Sequence, residues 1–178
     1  YELLKVDKNV QEAGEAGKRY IIHNARLTLE VEDLEAASAE IQLMAGRLDG
    51  YVASLEIYDL TRERRAGHIS LRIPGGKFLD VLYQVKELGK AKNEHVYTDD
   101  VTMSYIDLEA RLNNLAVQEQ RMRDLLEKAE SIEDILEIEK ELGRIRGDLE
   151  VMTAELKHLQ ERVRFSTIDI NLQEKDPR

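Results

Sequence analysis

Nine apolar residues recur without a break over the last third of the chain: Ile135, Ile138, Leu142, Ile145, Leu149, Met152, Leu156, Leu159 and Val163. Their spacing alternates between three and four, which is the seam of a heptad repeat on one continuous α-helix. The residues before it answer with Tyr105, Leu108, Leu112, Leu115, Met122, Leu126 and Ala129, and Glu119 interrupts the series once. Only Glu130-Ser131 lies between the two helices, with Ser131 suited to cap the second helix and Asp134 three residues on. So short a connection forces the helices antiparallel. At 1.5 Å per residue a helix of about 33 residues reaches roughly 50 Å, more than the helices of a small domain can cover. The hairpin must therefore stand largely clear of the rest. Glu119 is expected to lay its stem along the seam and carry its carboxylate to Arg146.

The preceding residues follow other periods. From Arg26, Leu27, Leu29 and Val31 alternate with polar residues, which makes a half-buried strand that Tyr20 to Ala25 extends. Leu34, Ala37, Ile41, Met44 and Leu48 then follow Asp33 at helical spacing, with Gly50 placed to end that helix. Two strands come next, carrying Tyr51, Ala53, Leu55 and Ile57 on one and Ile69, Leu71 and Ile73 on the other, joined through Thr61 to Gly67. Pro74 stops the second. Phe78, Val81, Leu82, Val85 and Leu88 form the stripe of another amphipathic helix, and the polar segment Ala91 to Thr98 suits a strand at a sheet edge. After the hairpin, Ile168, Ile170 and Leu172 alternate with Thr167, Asp169 and Asn171, so the chain returns to the sheet.

The expected fold is α+β: a ferredoxin-like βαββαβ sheet domain with a long antiparallel coiled-coil hairpin inserted before a final strand. The divisions follow. Residues 1–18 carry Gly14, Gly17 and charges without a period and read as a flexible linker. Residues 19–103 and 165–173 form the sheet domain, 104–164 the hairpin and 174–178 a tail.

The chain carries 26 basic and 36 acidic residues, a formal charge of −10, which works against phosphate backbones and anionic lipid head groups as partners. With no cysteine there is no disulfide, thiolate metal site or cysteine nucleophile. The start at Tyr1, without an initiator Met or a basic and apolar signal segment, reads as an excised or processed piece.

Candidate sites are few. Pro74-Gly75-Gly76-Lys77 stands between a strand and a helix, but a phosphate-cradling loop would need Gly at Leu71 and Ser or Thr at Phe78, so the segment reads as a glycine-eased turn. His23, His68, His95 and His158 fall in separate elements without ligand spacing. Asp99 and Asp100 precede a helix and read as capping acids. From Asp124 to Glu141, eight acids stand against Lys128 and Lys140 and leave the hairpin tip at −6. Glu133, Asp134 and Glu137 there are either a solvated surface or a dock for a basic protein. Gly143 and Gly147 lie one turn apart outside the seam, where they weaken the helix or admit another helix closely. Catalytic, cofactor and metal residues are assigned nowhere.

Four segments carry a resemblance: Leu71-Arg72-Ile73-Pro74; Asp100-Val101-Thr102; Tyr105-Ile106-Asp107-Leu108-Glu109-Ala110-Arg111-Leu112-Asn113-Asn114-Leu115; and Arg164-Phe165-Ser166-Thr167-Ile168. The chain resembles the domain-of-unknown-function 4349 family of bacterial membrane-associated proteins from about Arg19 to Leu172. That resemblance implies an extracytoplasmic lipoprotein at the bacterial cell membrane, with Tyr1 to Lys18 as the linker from a lipid anchor and Asp176-Pro177-Arg178 preceding a membrane segment. It assigns no activity. The residues themselves read as structural: Thr102 can cap the hairpin's first helix, Asp107 and Arg111 form an i,i+4 pair, and Asn113-Asn114 flank the seam.

The expected function is a non-catalytic, membrane-anchored interaction or scaffold module, with a protein partner or self-association through the hairpin. Two alternatives stand beside it: the extracytoplasmic sensor of an anti-sigma-like signalling protein, and a hydrolase with an unrecognised site.

Overall fold

A computed structural model describes residues 17–176. The expected linker lies outside the described residues up to residue 16, as do Pro177 and Arg178. The elements are β1 (Ile21–Val31), α1 (Leu34–Arg47), β2 (Tyr51–Asp59), β3 (Arg65–Pro74), α2 (Phe78–Lys86), β4 (Lys90–Asp100), α3 (Thr102–Lys128), α4 (Ile132–Arg164) and β5 (Phe165–Glu174). A 3₁₀ turn at Gly75–Lys77 leads into α2, so the glycine pair eases a strand into a helix.

The mixed α+β domain holds a five-stranded sheet in the order β2-β3-β5-β1-β4. This is not the ferredoxin-like order, in which the first and third strands are neighbours. Here β5 lies between them, parallel to β1 from Asn24–Thr167 to Val31–Glu174 and antiparallel to β3 from Ala66–Gln173 to Pro74–Phe165. The reason lies in burial: Ile168, Ile170 and Leu172 are almost wholly removed from solvent, and only a central slot under the helices gives a strand that much cover. Alternation told which face of β5 is apolar but not which strands would flank it.

One face of the sheet carries the core. Leu27, Leu29, Ile69, Leu71, Ile73, Ile168, Ile170 and Leu172 meet Leu34, Ile41 and Met44 of α1 and Phe78, Val81 and Val85 of α2 in a single cluster. Asp33 caps α1, its Oδ1 accepting the Ala36 N–H at 3.1 Å. Gly50 closes α1 as expected, its N–H donating to the Ala45 carbonyl at 2.8 Å, but the left-handed residue of the turn is its neighbour. Asp49 takes the left-handed conformation, with φ of 60°, while a Cβ on Gly50 would lie 2.6 Å from the Arg72 carbonyl oxygen and against Ile73. Gly50 is required by the close approach of the chain to β3.

The two edges differ. β4 is exposed along its whole length and polar, as expected of an edge. β2 forms the other edge and is almost as exposed.

Candidate functional site

The hairpin is the part of the molecule not consumed by the sheet's core. Glu119 of α3 meets Arg146 of α4, and Tyr105 of α3 meets Gln160 of α4. Stepping back along α3 from Glu119 to Tyr105 moves the partner forward along α4 by the same number of residues, so the two helices run antiparallel in register from base to tip. Leu112, Leu142, Ile145 and Leu156 are buried between them, and Leu108, Leu115, Met122, Leu126, Ile135, Ile138, Leu149, Met152, Leu159 and Val163 are partly covered. Glu119 accepts from Arg123 at 2.7 Å and from Arg146 at 3.2 Å, which neutralises the acid within the apolar seam. Ser131 Oγ caps α4 by accepting the Asp134 N–H at 3.1 Å.

The base is fixed to the sheet by residues whose role periodicity did not reveal. The rings of Tyr20 and Tyr105 stack with centroids 3.7 Å apart and an interplanar angle of 11°. Tyr20 N–H donates to Thr102 Oγ1 at 2.9 Å, Val101 N–H donates to the Tyr20 carbonyl at 2.8 Å, and Gln160 Nε2 donates to the Tyr105 hydroxyl at 3.0 Å. Burial pushes the Tyr20 hydroxyl pKa up, and the neighbouring Tyr105 and Glu109 add to the shift. Tyr105 opens the longest of the four resemblance segments, and that was the available signal. Its partner Tyr20 carried none.

Thr102, expected to cap α3, is engaged with Tyr20 instead. Asp100 serves the helix start, its Oδ1 accepting the Thr102 N–H at 3.1 Å and the Thr102 hydroxyl as well. Those two bonds, followed by Arg19 at 2.8 Å, hold the Asp100 carboxyl below the usual carboxylate range. Asp99 lies 3.8 Å from Arg162 near the end of α4. Asp107 and Arg111 form the expected i,i+4 pair at 2.9 Å.

Beside that pair, a shallow open depression of about 410 Å³ runs between the helices, with Leu108, Met152 and Leu159 as an apolar floor and Asp107, Arg111 and His158 at its rim. His23 lies 5.7 Å from the Phe78 ring, His68 bonds Asn171 at 3.0 Å and His95 stacks on Tyr97 at 5.0 Å, so the four histidines stay in separate surroundings. Among the described residues no three of His, Asp and Glu gather in a way that could hold a metal ion. Glu133, Asp134 and Glu137 are all exposed at the tip. Gly143 and Gly147 face open space, where an added Cβ would meet no atom within 4 Å.

The family model described as a domain of unknown function (DUF4349) matches residues 19–178. The chain belongs to the DUF4349 family. In this DUF4349 chain the matched span takes in the sheet and the whole hairpin, so the projection is part of what the family model describes and not an addition to it. No curated protein and no solved structure matches the chain. Among the described residues no helix of the DUF4349 domain is long and apolar enough to cross a membrane.

Proposed function

We propose that this DUF4349 domain is a non-catalytic interaction module, anchored at the bacterial cell membrane on its outer side, which presents the hairpin as an antiparallel coiled coil to a protein partner. The observation that carries this reading is the form of the hairpin. Helices of 27 and 33 residues satisfy each other through one seam and leave their outer surfaces to solvent. A projection of roughly 50 Å serves no purpose in the sheet's own stability, since the sheet core closes over α1 and α2 alone. The acids Glu133, Asp134 and Glu137 suit a basic surface on the partner, and Gly143 and Gly147 let a partner helix approach the backbone of α4 closely. A split βαβ unit opened by a returning strand describes the base from which this projection is held.

Photo-crosslinking residues placed singly at Glu137 and Gly147, and at the exposed Leu43 of α1 as a control, test the reading in cells of the source bacterium. Protein adducts are expected from the two hairpin positions and not from position 43, and the joint change Glu133→Gln, Asp134→Gln and Glu137→Gln should weaken them. Adducts arising equally from all three positions, or from position 43 alone, would remove the hairpin from this role.

A further inference from the structure

The strand β2 is an edge without the protection that β4 carries. An unpaired sheet edge is a template for another strand, and stable monomers blunt such edges with charges, prolines or covering elements. β4 follows that rule. It carries Lys90, Lys92, Glu94, Asp99 and Asp100, and four of these meet neighbours: Lys86 lies 2.7 Å from Glu94, Lys92 3.3 Å from Glu30, Arg162 3.8 Å from Asp99 and Arg19 2.8 Å from Asp100. Along its nine residues β2 has neither Lys, Arg nor Pro, and only Glu56 and Asp59 are charged. Four of its large side chains stand open to solvent: Tyr51 at 50 %, Leu55 at 40 %, Ile57 at 41 % and Tyr58 at 49 %.

These side chains occupy both faces of the strand. Leu55 pairs with the buried Ile69 and Ile57 with Gly67, on the side of the helices, whereas Tyr58 pairs with Ala66 and Tyr51 with Arg72 on the opposite side. Exposed apolar groups on both faces of an unprotected edge call for an added strand with apolar side chains on both faces.

We infer that the β2 edge is where a second copy of this chain pairs, antiparallel across a two-fold axis at Ile57, so that the two sheets become one. Charge and backbone regularity select both occupant and register. A two-fold at Glu56 would set that carboxylate against its own copy. A two-fold at Leu55 would run the ladder through the irregularity between Val52 and Ser54. At Ile57 the pairing lies wholly within the regular run. Ile57 meets Ile57, Glu56 stands opposite Tyr58 of the other copy and Leu55 opposite Asp59, and no like charges oppose. The surroundings also suit self-pairing. The chain as a whole carries −10, but Tyr51 to Arg65 balances Glu56, Asp59 and Glu63 against Arg62, Arg64 and Arg65, so two such edges meet without net repulsion. The contact is isologous and closes on itself, which gives a dimer and not a fibre.

Sedimentation equilibrium of the whole chain, across a wide concentration range, is expected to show reversible association to twice the chain mass. Ile57→Lys places a charge at the edge on a half-exposed position; it should give a monomer with an unchanged circular dichroism spectrum. Because the chain has no cysteine, Ile57→Cys supplies its single thiol, and mild oxidation should couple two copies rapidly, whereas Leu43→Cys should not. A monomer at every concentration overturns the inference. So does equal coupling through both cysteines. A dimer that survives Ile57→Lys but dissociates on the joint change Gly143→Ala and Gly147→Ala also overturns it, and assigns the association to the hairpin instead.

Discussion

The sheet domain and the hairpin are held by different amounts of burial, and the difference sets how each responds to damage. In the sheet, Leu29, Ile41, Ile69, Leu71, Ile73, Val81, Val85, Ile168 and Ile170 are fully removed from solvent, enclosed by strands on either side and helices above. In the hairpin only Leu142, Ile145, Leu112, Leu156 and Tyr105 are buried, and the other seam residues keep part of their surface in water. Two helices in contact along one line can cover only that line. The sheet thus supplies stability while the hairpin supplies reach, and its shallow seam should open before the sheet gives way.

The largest expected effect comes from Ile170→Asp in the central strand. A carboxylate there has no partner and no route to water, so the cost should exceed about 4 kcal/mol and the sheet and the hairpin base should be lost together. Heat denaturation followed by near-ultraviolet circular dichroism checks this; a variant that retained a cooperative transition would mean that the core tolerates what the hairpin should not. Leu142→Asp or Leu149→Asp should cost less, about 2–3 kcal/mol, and act locally. The helical signal at 222 nm is expected to fall while a cooperative sheet transition remains. Unchanged helicity in both variants would contradict the seam assignment, and complete unfolding would erase the distinction between the two regions.

The smallest effect runs the other way. Gly143→Ala with Gly147→Ala fills open space on an exposed helix, so each change should stabilise by about 0.5–1 kcal/mol through the backbone. The hairpin transition should rise by a few degrees in differential scanning calorimetry, and the sheet transition should not move. A fall would show that these positions are pressed against something, which sharpens the case for a helix docked there.

The sequence disclosed the hairpin more fully than the sheet. Heptad spacing fixes both the partner face and, with a two-residue turn, the pairing direction, so the Glu119–Arg146 contact could be named from order alone. In strands, alternation fixes a face and leaves the neighbour open. That is why the apolar pattern of β5 announced a strand but not its place between β3 and β1, whereas the edge places of β2 and β4 agree with the ferredoxin-like expectation. The polar β4 was legible as an edge because its charges cannot be buried. At the candidate site, the exposure of Glu133, Asp134, Glu137, Gly143 and Gly147 followed from helical phase. The stacking of Tyr20 on Tyr105 did not, since it joins residues that only the closed sheet brings together.

The parallel pairing of β1 with β5 has a mechanical consequence. The chain enters β1 at the end of the sheet that bears the hairpin and leaves β5 at the opposite end. Tension applied to the backbone before Tyr20 and after Glu174 would therefore pull the two strands along each other. Every hydrogen-bonded pair from Asn24–Thr167 to Val31–Glu174 would share the load at once and would not open one by one. Tyr20, stacked on Tyr105 and bonded to Thr102 and Val101, would pass part of that pull to the base of the hairpin, while the seam beyond the base lies off the β1–β5 line. Pulled in this way, the sheet would resist by shear of β1 against β5, the geometry in which a strand pair is hardest to separate.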